Sequence, residues 1–148
     1  MERKQAKLIA EKIININKPE FEKLEVVGSI RRERPEVNDI DIVGIFTKDM
    51  LDTFPESAKK RRIIKGKCDG INFEIYIAKP EEYEVIKLIR TGSKEHNIKL
   101  CKLALAKGWK LKANGEGLIT DKGVIKTERG ILEALLGKYI EPKDREVI

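Results

Sequence analysis

Apolar positions recur along this chain at two spacings, one helical and one alternating, and the switches between them mark out its elements. Over residues 5–16, Leu8, Ile9, Ile13 and Ile16 return at helical intervals until Asn17-Lys18-Pro19 breaks the pattern, which predicts a first helix. The run at 24–27 stops at Gly28-Ser29 and reads as a strand delivering a tight turn into a short helix. Asp39-Ile40-Asp41-Ile42-Val43 alternates carboxylate with β-branched residue, so as a strand it sets both carboxylates on one face and the isoleucines on the other. Residues 48–60 read as a helix despite Pro55, and 62–67 with 71–78 as a hairpin turning at Asp69-Gly70.

After Pro80 a helix over 81–90 runs into Thr91-Gly92-Ser93, the candidate hinge. Ser93 can cap a second helix that reaches Lys107 and ends at Gly108. Strand-like pieces at 109–112, 117–120 and 124–126 are separated by glycines, and Thr127 caps a helix over 128–136. The pattern predicts an α+β chain of two mixed lobes, 1–90 and 91–148, with its seam near 90–93.

Composition narrows the setting. The 41% apolar content is interrupted everywhere by charge, which excludes a bilayer-crossing apolar run, and the N-terminal residues lack a signal peptide's apolar centre. The expectation is a cytosolic protein without membrane partners, or a virion-borne one if the source is viral, and by default a monomer. Cys68 and Cys101 have no metal-ligand spacing and read as reduced thiols. With 31 basic against 25 acidic residues and a net charge of +6, the chain favours a polyanionic partner, although the same lysine-rich, glutamate-rich balance arises in AT-rich genomes and hot habitats.

The chemistry lies in one ordered constellation: Gly28-Ser29, Arg31-Arg32, Asp39-x-Asp41, then Glu74 on a separate strand. Two carboxylates pointing the same way from one strand ionise comfortably only beside concentrated positive charge, which divalent magnesium supplies. Two such ions can stabilise the attacking and leaving oxygens of an in-line displacement. Gly28 lets backbone approach a phosphate, while Ser29 and the helix start behind it offer donors and Arg32 a forked cation. Phosphoryl transfer asks the protein mainly for positioning and charge neutralisation, so this inventory covers most of the requirement. A D-x-D pair or a Gly-Ser alone would mark nothing more than a solvated strand face or a turn; their order points to a nucleotidyltransferase palm.

From Val27-Gly28-Ser29-Ile30-Arg31-Arg32 through Asn38-Asp39-Ile40-Asp41, the chain resembles the palm of X-family DNA polymerases, whose better known members include the repair polymerase beta. Arg90-Thr91-Gly92-Ser93 with Asn97 resembles the start of that family's thumb, and Tyr139-Ile140-Glu141-Pro142-Lys143-Asp144-Arg145 its C-terminal ending. The resemblance implies Asp39 and Asp41 as ligands of two magnesium ions, replaceable by manganese, and Glu74 as a ligand of the catalytic one. It implies Ser29 and Arg32 on the triphosphate of a dNTP, Gly92 beneath the incoming sugar, and Asn97 at the minor-groove edge of its base. The implied activity is templated, gap-filling DNA synthesis in repair on primer-template or gapped DNA.

Three departures stand out. The family has Asp where Glu74 stands, Ile89-Arg90 replaces an aromatic pair tied to sugar discrimination, and only 23 residues precede Leu24, so the expected form is palm and thumb alone, as in compact viral members. Lys94, Lys99, Lys102 and Lys107, with Lys110 and Lys112, are then candidate contacts to DNA phosphates. His96 reads as a surface or helix-packing residue, Trp109 as core of the second lobe, and Arg145 with Glu141 as an ion pair pinning the tail. Two other readings stand beside the polymerase: a template-independent or small-substrate nucleotidyltransferase, and a catalytically inactive DNA-binding module.

Overall fold

A computed structural model describes residues 1–53 and 63–146. Its first half is a four-stranded sheet in the order β1 (Phe21–Val27), β2 (Asp39–Phe46), β4 (Ile71–Ile77), β3 (Ile63–Cys68). β2 runs antiparallel to β1 and parallel to β4, while β3 and β4 form the hairpin expected across Asp69-Gly70. Both turn residues have positive φ, 49° and 85°, the combination that matches a two-residue hairpin to strand twist.

Alternation along β2 and β4 divides the sheet into two unlike faces. Ile40, Ile42 and Ile75, all fully buried, pack against α1 (Arg3–Asn17) through Ile9 and Ile13. The buried stripe of α1 is Ala6, Ile9, Ala10 and Ile13, whereas Leu8 and Ile16, both part of the apolar pattern, are exposed. Leu8 falls between turns of the i, i+3, i+4, i+7 stripe, and small alanines take the close-approach positions instead. Each buried isoleucine contributes on the order of 2 kcal/mol.

The opposite face is apolar at one end only. There Val43, Ile45 and Tyr76 meet Tyr83, at the start of helix α4 (Tyr83–Thr91), and the end carrying Asp39, Asp41 and Glu74 stays open. Between these strands lie α2 (Gly28–Arg31) and α3 (Lys48–Thr53); the remainder of the helix expected over 48–60 lies outside the described residues.

The second half consists of α5 (Lys94–Ala106), the antiparallel sheet β5 (Lys110–Lys112), β6 (Gly117–Thr120), β7 (Gly123–Ile125), and α6 (Glu128–Leu136). Ser93 and Thr127 cap their helices as the sequence predicts, accepting from the amides of His96 and Gly130. Trp109 packs against the second core, again as expected. That core takes Val85 and Leu88 from α4 alongside Leu100, Leu118, Ile131 and Leu132, so α4 serves both halves.

One buried carboxylate joins the halves. Glu128 accepts two hydrogen bonds from Arg31, at 2.6 and 2.7 Å, and one at 2.9 Å from Arg145, whose side chain is fully buried. The Glu141 partner expected for Arg145 is thus replaced: Glu141 is exposed, and the Arg145 guanidinium turns inward to Glu128 and the Ile140 carbonyl. Burial alone would raise the Glu128 pKa, but the hydrogen bonds and charge of Arg31, with those of Arg145, outweigh it and hold the pKa below its ordinary value.

Glu128→Gln leaves Arg145 buried beside a neutral partner and is expected to cost about 3 kcal/mol or more, read from urea unfolding at pH 7. Because the folded-state pKa of Glu128 is depressed, its contribution is present above the ordinary carboxylate range and is lost as pH falls through that folded value; the variant's acid limb should be correspondingly flatter.

Candidate functional site

β2 and β4 run parallel in a register that sets Asp41 directly opposite Glu74, and Asp39 opposite Asn72. Asp39, Asp41 and Glu74 therefore share one face, and all three line a cavity of about 400 Å³ whose walls also include Lys65 and Tyr76. Asp41 and Glu74 are half-buried, whereas Asp39 is exposed. The Asp41 pKa is pushed up to about 6, first by burial and then by the charges of Glu74 and Asp39.

Tyr76, two residues after Glu74 on the same face, donates its hydroxyl to the Glu74 carboxylate and lies 3.4 Å from Asp41 Oδ1. Burial and that hydrogen bond raise the Tyr76 pKa well above its ordinary value. The Arg90 guanidinium stacks over the Tyr76 ring at 4.1 Å, bringing positive charge to the site's edge.

Oxygen donors alone, in an arrangement short of positive charge, fit a hard divalent cation better than a soft one. The fit is one of chemistry and placement, not of a closed cage: among the described residues no three His, Cys, Asp or Glu side chains already gather at metal-binding geometry. The Tyr76 hydroxyl occupies the carboxylates that a cation would otherwise draw together.

Gly28 begins α2 against this face. It has φ 64°, and a Cβ there would collide with Asp41 Oδ2, so glycine is required by conformation and by space. Ser29 follows, half-buried. Arg32 is already engaged: Nη1 donates to the Thr91 carbonyl at 2.5 Å, and Nε to Glu146. A side chain at Gly92 would press on that same guanidinium.

The expected hinge is densely tied. Thr91, Gly92 and Ser93 are buried; Thr91 receives Arg31 and Arg32, and the Ser93 amide and hydroxyl both donate to the Arg145 carbonyl, at 3.2 and 2.8 Å. Asn97 donates to the Ile89 carbonyl at 2.8 Å, linking α4 to α5, and its Oδ1 has no protein partner. Of the two expected settings for His96, surface or helix packing, the structure shows the second: it is buried. Lys94, Lys99, Lys102 and Lys107 are exposed along α5 and at its end, as is Lys110, while Lys112 is half-buried and Lys107 reaches over the Trp109 ring.

Sequence reasoning misses Lys65, Tyr76, Arg90 and Glu128. The first two are within its reach: the hairpin register through Asp69-Gly70 puts Lys65 opposite Glu74, and strand alternation puts Tyr76 on the carboxylate face.

The site and its surroundings thus describe an acidic cleft on a mixed sheet joined to a basic α+β half. Residues 87–146 match the family model described as DNA polymerase beta thumb, and no curated protein matches the chain. The match spans 60 of the 148 residues and is a likeness of the second half to that thumb. No helix among the described residues is long and apolar enough to cross a membrane.

With a folded-state pKa near 6 against an ordinary 3.8, Asp41 makes the folded state bind the extra proton between those values, so its ionisation erodes stability as pH rises through about 6. Asp41→Asn is expected to raise the stability of the metal-free protein at pH 8 by on the order of 1–2 kcal/mol and to leave it little changed near pH 4, measured by denaturant titration at both pH values.

Proposed function

We propose that this protein is a DNA-directed DNA polymerase of X-family type, with its palm in the first half and its thumb in the second, and that it fills gaps in DNA during repair. The observation that carries the reading is the parallel register of Asp41 and Glu74, with Asp39 on the same face, beside a second half that matches a polymerase thumb.

Magnesium, or manganese in its place, held by Asp39, Asp41 and Glu74, supplies the positive charge that a triphosphate and an attacking 3′ hydroxyl require. The chain's own residues then bind and orient. Gly28 keeps the approach to Asp41 free of side chain, and Ser29 with Arg32 offers donors to the triphosphate once Arg32 exchanges its present partners for phosphate oxygens. Glu74 must turn from Tyr76 to serve as a ligand, and its length over aspartate gives it the reach to do so. Gly92 would lie beneath the sugar and Asn97 by the base edge, while the exposed lysines of α5 neutralise DNA phosphates.

The engaged Glu74 favours one other reading, a DNA-binding module without catalysis. Extension of a primer across a one-nucleotide gap, with and without magnesium and template, separates the readings. The polymerase is expected to incorporate the templated dNTP only with metal, and Asp41→Asn to lower the rate at least about 100-fold. Metal-dependent addition without template would point to a template-independent enzyme, and binding with no incorporation to the inactive module.

DNA affinity should fall steeply with salt. Replacing Lys94, Lys99 and Lys102 together with alanine should reduce the slope of log K against log salt by about one for each phosphate no longer neutralised, read from fluorescence anisotropy.

A further inference from the structure

Arg32, the arginine offered to the triphosphate, already has an anion on it. Its Nε donates to Glu146, whose Oε1 also lies 3.9 Å from Arg34 Nε, and its Nη1 donates to the Thr91 carbonyl. A carboxylate oxygen on a guanidinium stands where a phosphate oxygen would stand, because both accept charge-assisted hydrogen bonds from the same fork. One N–H cannot serve both.

The fold does not need this pair to place Glu146. The preceding residue, Arg145, is fixed on three sides: its guanidinium is buried on Glu128, its Nε donates to the Ile140 carbonyl, and its own carbonyl accepts from the amide and hydroxyl of Ser93. Glu146 is thereby delivered to the Thr91-Gly92-Ser93 turn, against which Arg32 lies so closely that a Cβ on Gly92 would come within 3.1 Å of its Nη1. The Arg32 and Glu146 side chains are 16% and 31% exposed, so water reaches the pair, and a single guanidinium nitrogen hydrogen-bonds the carboxylate. Arg31, one residue earlier, is the contrast: two of its nitrogens meet Glu128, which is shut away from solvent. The Arg31 pair is a fixed tie and the Arg32 pair an exchangeable one.

We propose that Glu146 sets the affinity of the nucleotide site: in the resting chain it holds the phosphate position at Arg32, and a triphosphate binds by displacing it. This rests on the reading of Arg32 as a triphosphate ligand. The displaced carboxylate keeps Arg34 beside it, so it leaves Arg32 without being left alone. The apparent affinity for nucleotide is then reduced by the fraction of chains in which Arg32 is free.

Binding of dATP to the full chain is measured by titration calorimetry with magnesium and without DNA, so that no chemistry follows. Glu146→Gln is expected to bind dATP about threefold to tenfold more tightly than the wild type, the range of a partly exposed, charged hydrogen bond. Glu141→Gln removes the same charge from the other end of the short turn at Pro142–Asp144 and should leave Kd within about twofold. Without nucleotide, the melting temperature of Glu146→Gln should stay within about 4 °C of the wild type. A larger fall makes the pair a structural tie and overturns the proposal, as does an equal gain in Glu141→Gln, which marks a general effect of charge. Unchanged or weaker binding in Glu146→Gln, with the wild type still binding dATP, overturns it and leaves the role of Arg32 standing. No binding by any of the three chains overturns the triphosphate reading, and this proposal with it.

Discussion

The carboxylate of Glu128 is the constraint on which the arrangement of the two halves depends. It sits out of water between Arg31, from the end of the short helix after β1, and Arg145, close to the last described residue. Two guanidiniums and one carboxylate are unfavourable to bury, and the group persists because nearly every donor it brings finds an acceptor. Geometry follows from this. Arg31 is adjacent to Arg32, so fixing one places the other at the Thr91 carbonyl, and the acidic face comes to lie beside the start of α5.

The same balance of charge explains why the acidic cleft is left incomplete. A sheet face carrying Asp39, Asp41 and Glu74 repels itself, and Tyr76 offsets part of that repulsion with a hydroxyl while Arg90 lends charge from across the tyrosine ring. These are modest compensations. They leave Asp41 holding its proton more tightly than an ordinary aspartate, a condition that a cation would reverse.

Much of this is legible from residue order. Alternation alone locates the acidic face of β2, the Asp69-Gly70 turn sets the register of β3 with β4, and the caps at Ser93 and Thr127 bound two helices. What cannot be read are pairings across long separations. Glu128 lies 97 residues from Arg31, and nothing local distinguishes it from any acid in a helix's first turn. Proximity along the chain pairs Arg145 with its near neighbour Glu141, whereas desolvation selects the acid already buried. Apolar character alone assigns Leu8 to the core, although the helix turns it to solvent. For His96, where residue order leaves surface and helix packing both open, the structure shows the packed position.

Helix α4 has a role beyond connecting the halves. Tyr83 and Lys87 hold it to Glu25 on β1, while Val85 and Leu88 lie in the core shared with α5 and α6. It behaves as a common girder: cut at residue 91, the second half would lose Val85 and Leu88 from its interior. Any swing of the second half against the sheet must either bend this girder or carry it along, moving the floor beneath Tyr76 with it. Such a movement would be felt at the carboxylates through the backbone itself.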